Sequence, residues 1–367
     1  MFKICVFCGA EPGAETREHV IPLWLIELTG DPKRNAMFGP IMDKHSRKFA
    51  MKKFPFERFV FPACKSCNEE WSRVEGSLKP ILGSVLSRDP MSCGQFALLL
   101  RWLDKVRVGL WLSLLYLQKG FYEITPHFYI NSRVDRSDRI LLVYRSDFLG
   151  KRLAVWGCNV LSFHYTPSCF TLVVNNCYFL NASFDFLVSR GLGLPYPRRM
   201  YYVRDPRSGN YQGGLQDLVR GAECVSEPIV GLHYDPRCAQ LFQPMFGKPE
   251  IRSRFSSLYN TDYVRSVSVD HAKGIGQVFY YDAIDRMAQK YPPEESRCWA
   301  PSHIWADDLA RKVVLAQTLR FQNRLSEYGP CDQKVSLEEV KGRFKHVMRK
   351  RLLLSRNLNE TLLQRIT

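Results

Sequence analysis

The sequence predicts an α+β protein: a small cysteine-stapled unit followed by a larger body of helices and antiparallel or mixed sheet. Three observations carry this. Two CxxC pairs bracket the first 67 residues, a long apolar stretch with helical length follows near residue 96, and a series of short β-rich runs begins near residue 140. The 367 residues suggest two or three domains, drawn here as 1–80, 81–298 and 299–367. A hydrophobic content of 46% with 24% charged residues excludes a disordered or low-complexity chain.

Each element has its own signal. After the second cysteine pair, Trp71, Val74, Leu78 and Ile81 recur at spacings of three and four, the apolar stripe of a short helix. Gly76 and Pro80 are expected to weaken or end it. The segment Phe96 to Gln118 is the most apolar long run, but Arg101, Asp104, Lys105 and Arg107 near its middle are expensive in lipid. It reads as a core helix. The runs ILLVYRS, RLAVWGCNVLSFHY, SCFTLVVNNCYFL and RRMYYVR are strand-like. Residues 204–298 look irregular, with a turn signal in Gln212 to Gly214, several prolines and a few possible strands. Helical periodicity returns at 302–326 and 336–356, the latter opening at Ser336 with Glu339 three residues on, a capping box.

Cys5 and Cys8 with Cys64 and Cys67 make two knuckles, and four thiolates suit a tetrahedral structural Zn2+ stapling a unit whose own core is limited. The amino terminus shows no apolar stretch with a cleavage signature, so the chain is expected to stay in the cytoplasm, its other cysteines buried thiols. No membrane association is expected.

Between the knuckles lies REHVIPLWL, with Glu18 beside His19, and Asn68 directly follows the second pair. The ordered set CVFC, EHVIP and CKSCN resembles the HNH, or ββα-metal, endonuclease family, over residues 1 to about 80 only. The resemblance implies a ββα-metal module with His19 as general base for an attacking water. It implies Glu18 and Asn68 as catalytic residues and ligands of a catalytic Mg2+ or Mn2+. Glu75, about two helical turns beyond Asn68, is a candidate third ligand or orienting group. Adjacent Glu18 and His19 on a strand point to opposite sides, which would let one face metal and the other water. Where the family carries a middle asparagine this chain has Arg58 and Phe59, a departure that bears on how His19 is positioned. The spacing from His19 to Cys64 is long; Asn35 and His45, which lie in it, read first as surface residues, and Trp24 and Trp71 as core.

The expected function is therefore metal-dependent endonucleolytic hydrolysis of nucleic acid, DNA ahead of RNA, with a role in restriction or antiviral defence and an activating partner protein or second copy of the chain. The alternative is a catalytically silent zinc-containing nucleic-acid-binding or scaffold protein. A third reading is a basic surface that docks an acidic protein. Charge supports a polyanionic partner: 52 Lys and Arg against 36 Asp and Glu leave +16. Residues 1–75 carry 12 basic and 10 acidic groups, a net +2, and the remainder carries +14. The densest basic stretch is Lys341, Arg343, Lys345, Arg349, Lys350, Arg351 and Arg356. Pro197 to Arg199 followed by Tyr201 and Tyr202 is a weaker candidate for stacking on unpaired bases. Gly191 and Gly193 do not form a phosphate loop, since no Lys-Ser/Thr ending follows.

Overall fold

A computed structural model of the chain describes residues 4–11, 15–42, 49–89, 91–117, 130–132, 134, 139–165, 167–183, 196–204, 211–219, 224–225, 240–244, 276–282, 287–290, 304–327 and 341–366. The fold is α+β. Strand β1 (Glu15–His19) pairs antiparallel with β4 (Val60–Cys64), Glu15 opposite Cys64 and His19 opposite Val60. The interval between them, long in sequence, is a folded insertion: helix α1 (Leu23–Leu28) and a hairpin of β2 (Asn35–Met42) and β3 (Phe49–Pro55). Asn35 is exposed at the start of β2, and His45 lies outside the described residues.

Helix α2 (Lys65–Ser87) begins where β4 ends and buries Cys67, Trp71, Val74, Leu78 and Ile81, the stripe the sequence predicts. It does not stop at Gly76 or Pro80. Pro80 lacks the N–H that would bond the Gly76 carbonyl, a real loss, yet Ile81, Leu82 and Val85 beyond it are buried and hold the helix on course. It ends at Arg88, whose φ of 69° makes a left-handed cap while the Asp89 N–H reaches the Ser84 carbonyl at 2.8 Å.

Helix α3 (Cys93–Leu117) is the core helix anticipated from its sequence. Leu99, Leu100, Trp102, Leu103, Val106, Leu110 and Leu114 are buried, and so are the charged Asp104, Lys105 and Arg107. Burial of charge is tolerable only with partners. Arg107 pairs with Asp104 at 2.9 Å and bonds the Asn181 side chain, whose amide N–H reaches Asp104 at 3.3 Å; Arg101 pairs with Glu70 at 2.7 Å.

An eight-stranded antiparallel sheet supports α3, in the order β11-β14-β13-β12-β5-β8-β7-β6. Its described side chains come from β5 (Arg139–Arg145), β6 (Leu153–Trp156), β7 (Cys169–Val174) and β8 (Cys177–Ser183). Leu141, Val143, Phe170, Leu172 and Phe179 face the cluster that contains α3. Ile140, Leu142, Tyr144, Val173, Tyr178 and Leu180 face helix α5 (Asp307–Glu327). Helices on both faces explain why these strands read as continuous apolar runs rather than alternating ones. Helix α4 (Leu161–Tyr165) precedes β7.

Where the sequence looked irregular, with a few possible strands, β11 (Cys224–Val225), β12 (Gln240–Pro244), β13 (Gly276–Asp282) and β14 (Met287–Lys290) complete the sheet. The run at Gln212 to Gly214 is not a turn. It lies inside β10 (Tyr211–Val219), paired with β9 (Tyr196–Arg204), Gly213 opposite Tyr202. The side chains of Arg198, Arg199, Tyr201 and Tyr202 lie outside the described ones, as do Gly191 and Gly193.

The last helix, α6 (Lys341–Ile366), extends ten residues beyond its expected end. Ser355, Asn359 and Leu363, one turn apart, are buried; the Asn359 amide N–H donates to Asn323 of α5 at 2.8 Å. Of its basic residues Arg356 is exposed, the side chains from Lys341 to Arg351 lie outside the described ones, and so does the expected cap at Ser336.

Candidate functional site

The first knuckle is a tight turn in which Gly9 adopts φ 81° and donates its N–H to the Cys5 carbonyl at 2.8 Å. The Val6 N–H bonds the Pro62 carbonyl at 3.1 Å, which lays the turn along β4. The second knuckle is the β4–α2 junction itself. Together they bring the four Sγ atoms of Cys5, Cys8, Cys64 and Cys67 within 4.8 Å of one another, with Cys8 and Cys64 at 3.9 Å. Zn–S bonds of about 2.3 Å in a tetrahedron require S···S separations of roughly 3.8 Å, so the group can hold a metal ion such as zinc. None of the four is in a disulfide.

The electrostatics of the cluster agree. The Ser66 hydroxyl and the Cys67 backbone N–H favour the thiolate of Cys64 and draw its pKa to about 6. Burial and neighbouring thiols push Cys67 far up. Asn131 supports it from outside the first 80 residues: its amide N–H points at Cys67 Sγ at 3.7 Å, its carbonyl accepts the Trp71 indole N–H at 3.1 Å, and its backbone N–H bonds the Phe7 carbonyl at 3.0 Å.

Strand β1 separates the two candidate catalytic residues. Glu18, opposite buried Phe61, faces inward toward α2 and α3; His19, opposite Val60, takes the other face and is half-buried. The sequence expectation that the two point apart is met. Burial lowers the His19 pKa, and the Lys105 charge adds to this while Glu18 and Glu57 oppose it. Burial thus favours the neutral ring, the form that can accept a proton.

Glu18 is held by a residue that sequence reasoning read only as part of a core helix. The Lys105 ammonium, fully buried, lies 2.5 Å from a Glu18 carboxylate oxygen and 2.6 Å from one of Glu75. Its Nζ also sits 5.3 Å from the Trp71 ring centroid and 6.0 Å from that of Phe7. Burial raises the Glu75 pKa; Lys105 opposes the rise and Glu18 adds to it. Glu18 and Glu75 thus meet around an ammonium. Asn68 is half-buried on the first turn of α2, seven residues and about 10 Å of helical rise before Glu75.

The remaining expectations sort simply. Trp71 is core, and Trp24 packs partly buried against it. Phe59 is buried and its carbonyl accepts the Val20 N–H at 2.9 Å, so the residue after His19 is fixed through the backbone. Arg58 is exposed. Among the described residues no helix is long and apolar enough to cross a membrane. Comparison with protein-family models, curated proteins and solved structures returns no match.

Proposed function

We propose that the chain is an endonuclease that hydrolyses phosphodiester bonds in nucleic acid, DNA ahead of RNA, with His19 as general base. The observation that carries this reading is an antiparallel strand pair and helix joined at a four-cysteine cluster, with a half-buried histidine at the end of the first strand. A structural Zn2+ would be held by Cys5, Cys8, Cys64 and Cys67 and would fix the β1–β4–α2 geometry. His19 removes a proton from water as it attacks phosphorus, a role worth about 10²–10⁴ in rate. The +14 carried by residues 76–367 attracts the polyanion toward a unit that is itself nearly neutral. Mg2+ or Mn2+ is what the resemblance implies, but Glu18 and Glu75 are already paired with Lys105. They do not fit an open ligand set for such an ion. Restriction or defence is the biological setting that the family resemblance favours.

The test is incubation of the zinc-loaded full chain with plasmid, linear duplex, single-stranded DNA and RNA, with and without Mg2+ or Mn2+, beside His19→Ala. Cleavage by the native protein should fall at least about 100-fold in the variant. Equal cleavage by both removes His19 from its role. The second reading, a silent zinc-containing binding module, is favoured by the Lys105 pairing, and salt-sensitive nucleic-acid binding without cleavage would select it.

A further inference from the structure

The cage around Lys105 differs from a divalent-metal site in its chemistry. Two carboxylates alone in a dry interior repel each other and demand a cation. Mg2+ and Mn2+ keep several waters and prefer six oxygen ligands, whereas this cage offers two carboxylates and two aromatic rings. Glu18 and Glu75 side chains are 9% and 12% exposed and the Lys105 ammonium stands between them at 2.5 and 2.6 Å, so a hydrated ion is kept out as long as that ammonium is present. Ring faces attract an ammonium without supplying ligand atoms, and the Trp71 and Phe7 faces lie 5.3 and 6.0 Å from the Lys105 nitrogen.

We infer that Lys105 is the built-in cation of the Glu18–Glu75 pair, so that the native protein holds no divalent metal ion at these carboxylates. Lys105 then acts as a positioning residue. It reaches from α3 to the inner face of β1, fixes Glu18, and through the strand sets where His19 stands on the outer face. Any dependence of the chain on a divalent cation arises elsewhere, such as at the phosphates of a substrate. The inference concerns ion binding, so it stands or falls independently of whether the chain cuts nucleic acid.

The experiment is a Mn2+ titration of the zinc-loaded full chain, read from the paramagnetic resonance of free Mn2+, for the native protein, Glu75→Gln, Lys105→Met, Lys105→Arg and Lys105→Met/Glu75→Gln. Native protein and Glu75→Gln should bind Mn2+ alike. Lys105→Met should gain one Mn2+ per chain, at least ten-fold tighter than any binding by the native protein. The gain should vanish in the double variant and be absent in Lys105→Arg, which keeps the positive charge. A Mn2+ ion bound by the native protein and lost in Glu75→Gln would overturn the inference, and this comparison decides the matter even if Lys105→Met does not fold. A folded Lys105→Met that gains no ion would overturn it as well.

Discussion

At the scale of single residues, the buried ionisable groups outside the site set the response to acid. His164 is fully buried; its Nε2 donates to the Cys158 carbonyl at 3.1 Å and its own carbonyl accepts the Trp111 indole N–H at 2.8 Å. Burial lowers its pKa to about 4. An unfolded histidine titrates near 6.5, so between these values the unfolded chain binds the extra proton. Stability is therefore intact above pH 6.5 and falls as pH drops toward 4, by up to about 3 kcal/mol for this group. Urea denaturation at pH 7 and pH 4.5 should show that loss, and His164→Gln should reduce the difference between the two. Legibility at this scale was uneven. The four cysteines announce their centre through paired local spacing. Lys105 does not, because its partners lie 87 and 30 positions away; the only signal was four charges in an otherwise apolar helix, which sufficed to reject a membrane span but not to name the carboxylates.

At the scale of elements, the close approach of α3 to β1 rests on Gly109. A Cβ there would meet Cγ1 at 2.9 Å and Cγ2 at 3.0 Å of Val20, the residue after the strand, whose backbone N–H is bonded to Phe59. Gly109→Ala improves helix propensity by about 1 kcal/mol, yet overpacking of this kind costs roughly 1–3 kcal/mol. The expected outcome is a net loss of stability by urea denaturation, together with a shifted His19 ring resonance in NMR as the strand end moves. The same elements show what period and length can and cannot tell. The stripe of α2 and the core character of α3 were readable from apolar spacing. The persistence of α2 past Pro80 was not, because it depends on Ile81, Leu82 and Val85 finding a tertiary core. Nor was the adjacency of β5 to both β8 and β12, which is set by pairings across 32 to 101 positions.

At the scale of the whole molecule, the expected small unit and its body share one core. The same apolar cluster runs from Cys5, Phe7 and Trp71 through α3 and the inner sheet face to Leu363 of α6. Metal loss should therefore be felt widely. We expect the purified protein to carry one zinc per chain by elemental analysis, and Cys8→Ser or zinc chelation to lower Tm by on the order of 10 °C or more in differential scanning fluorimetry. An unchanged Tm in a protein verified to have lost its zinc would remove the metal from the structural role. Far from that centre, Asp307 at the start of α5 accepts from both terminal nitrogens of Arg152, from Tyr178 and from Ser146, which pulls its pKa well below the carboxylate range and locks that helix to the sheet. What the sequence offered at this scale was charge distribution and class; the order of the sheet required contacts no local window contains.

Helix α2 joins these regions physically. Cys67 stands near one end, while at the other the buried Arg145 of β5 donates a 3.0 Å hydrogen bond to the Val85 carbonyl and a second to that of Leu86. With 23 residues it is a rod of about 34 Å pinned at both ends. One helix therefore carries a cysteine ligand at one end and a sheet contact at the other, and its hydrogen-bond ladder is broken between them only where Pro80 faces the Gly76 carbonyl.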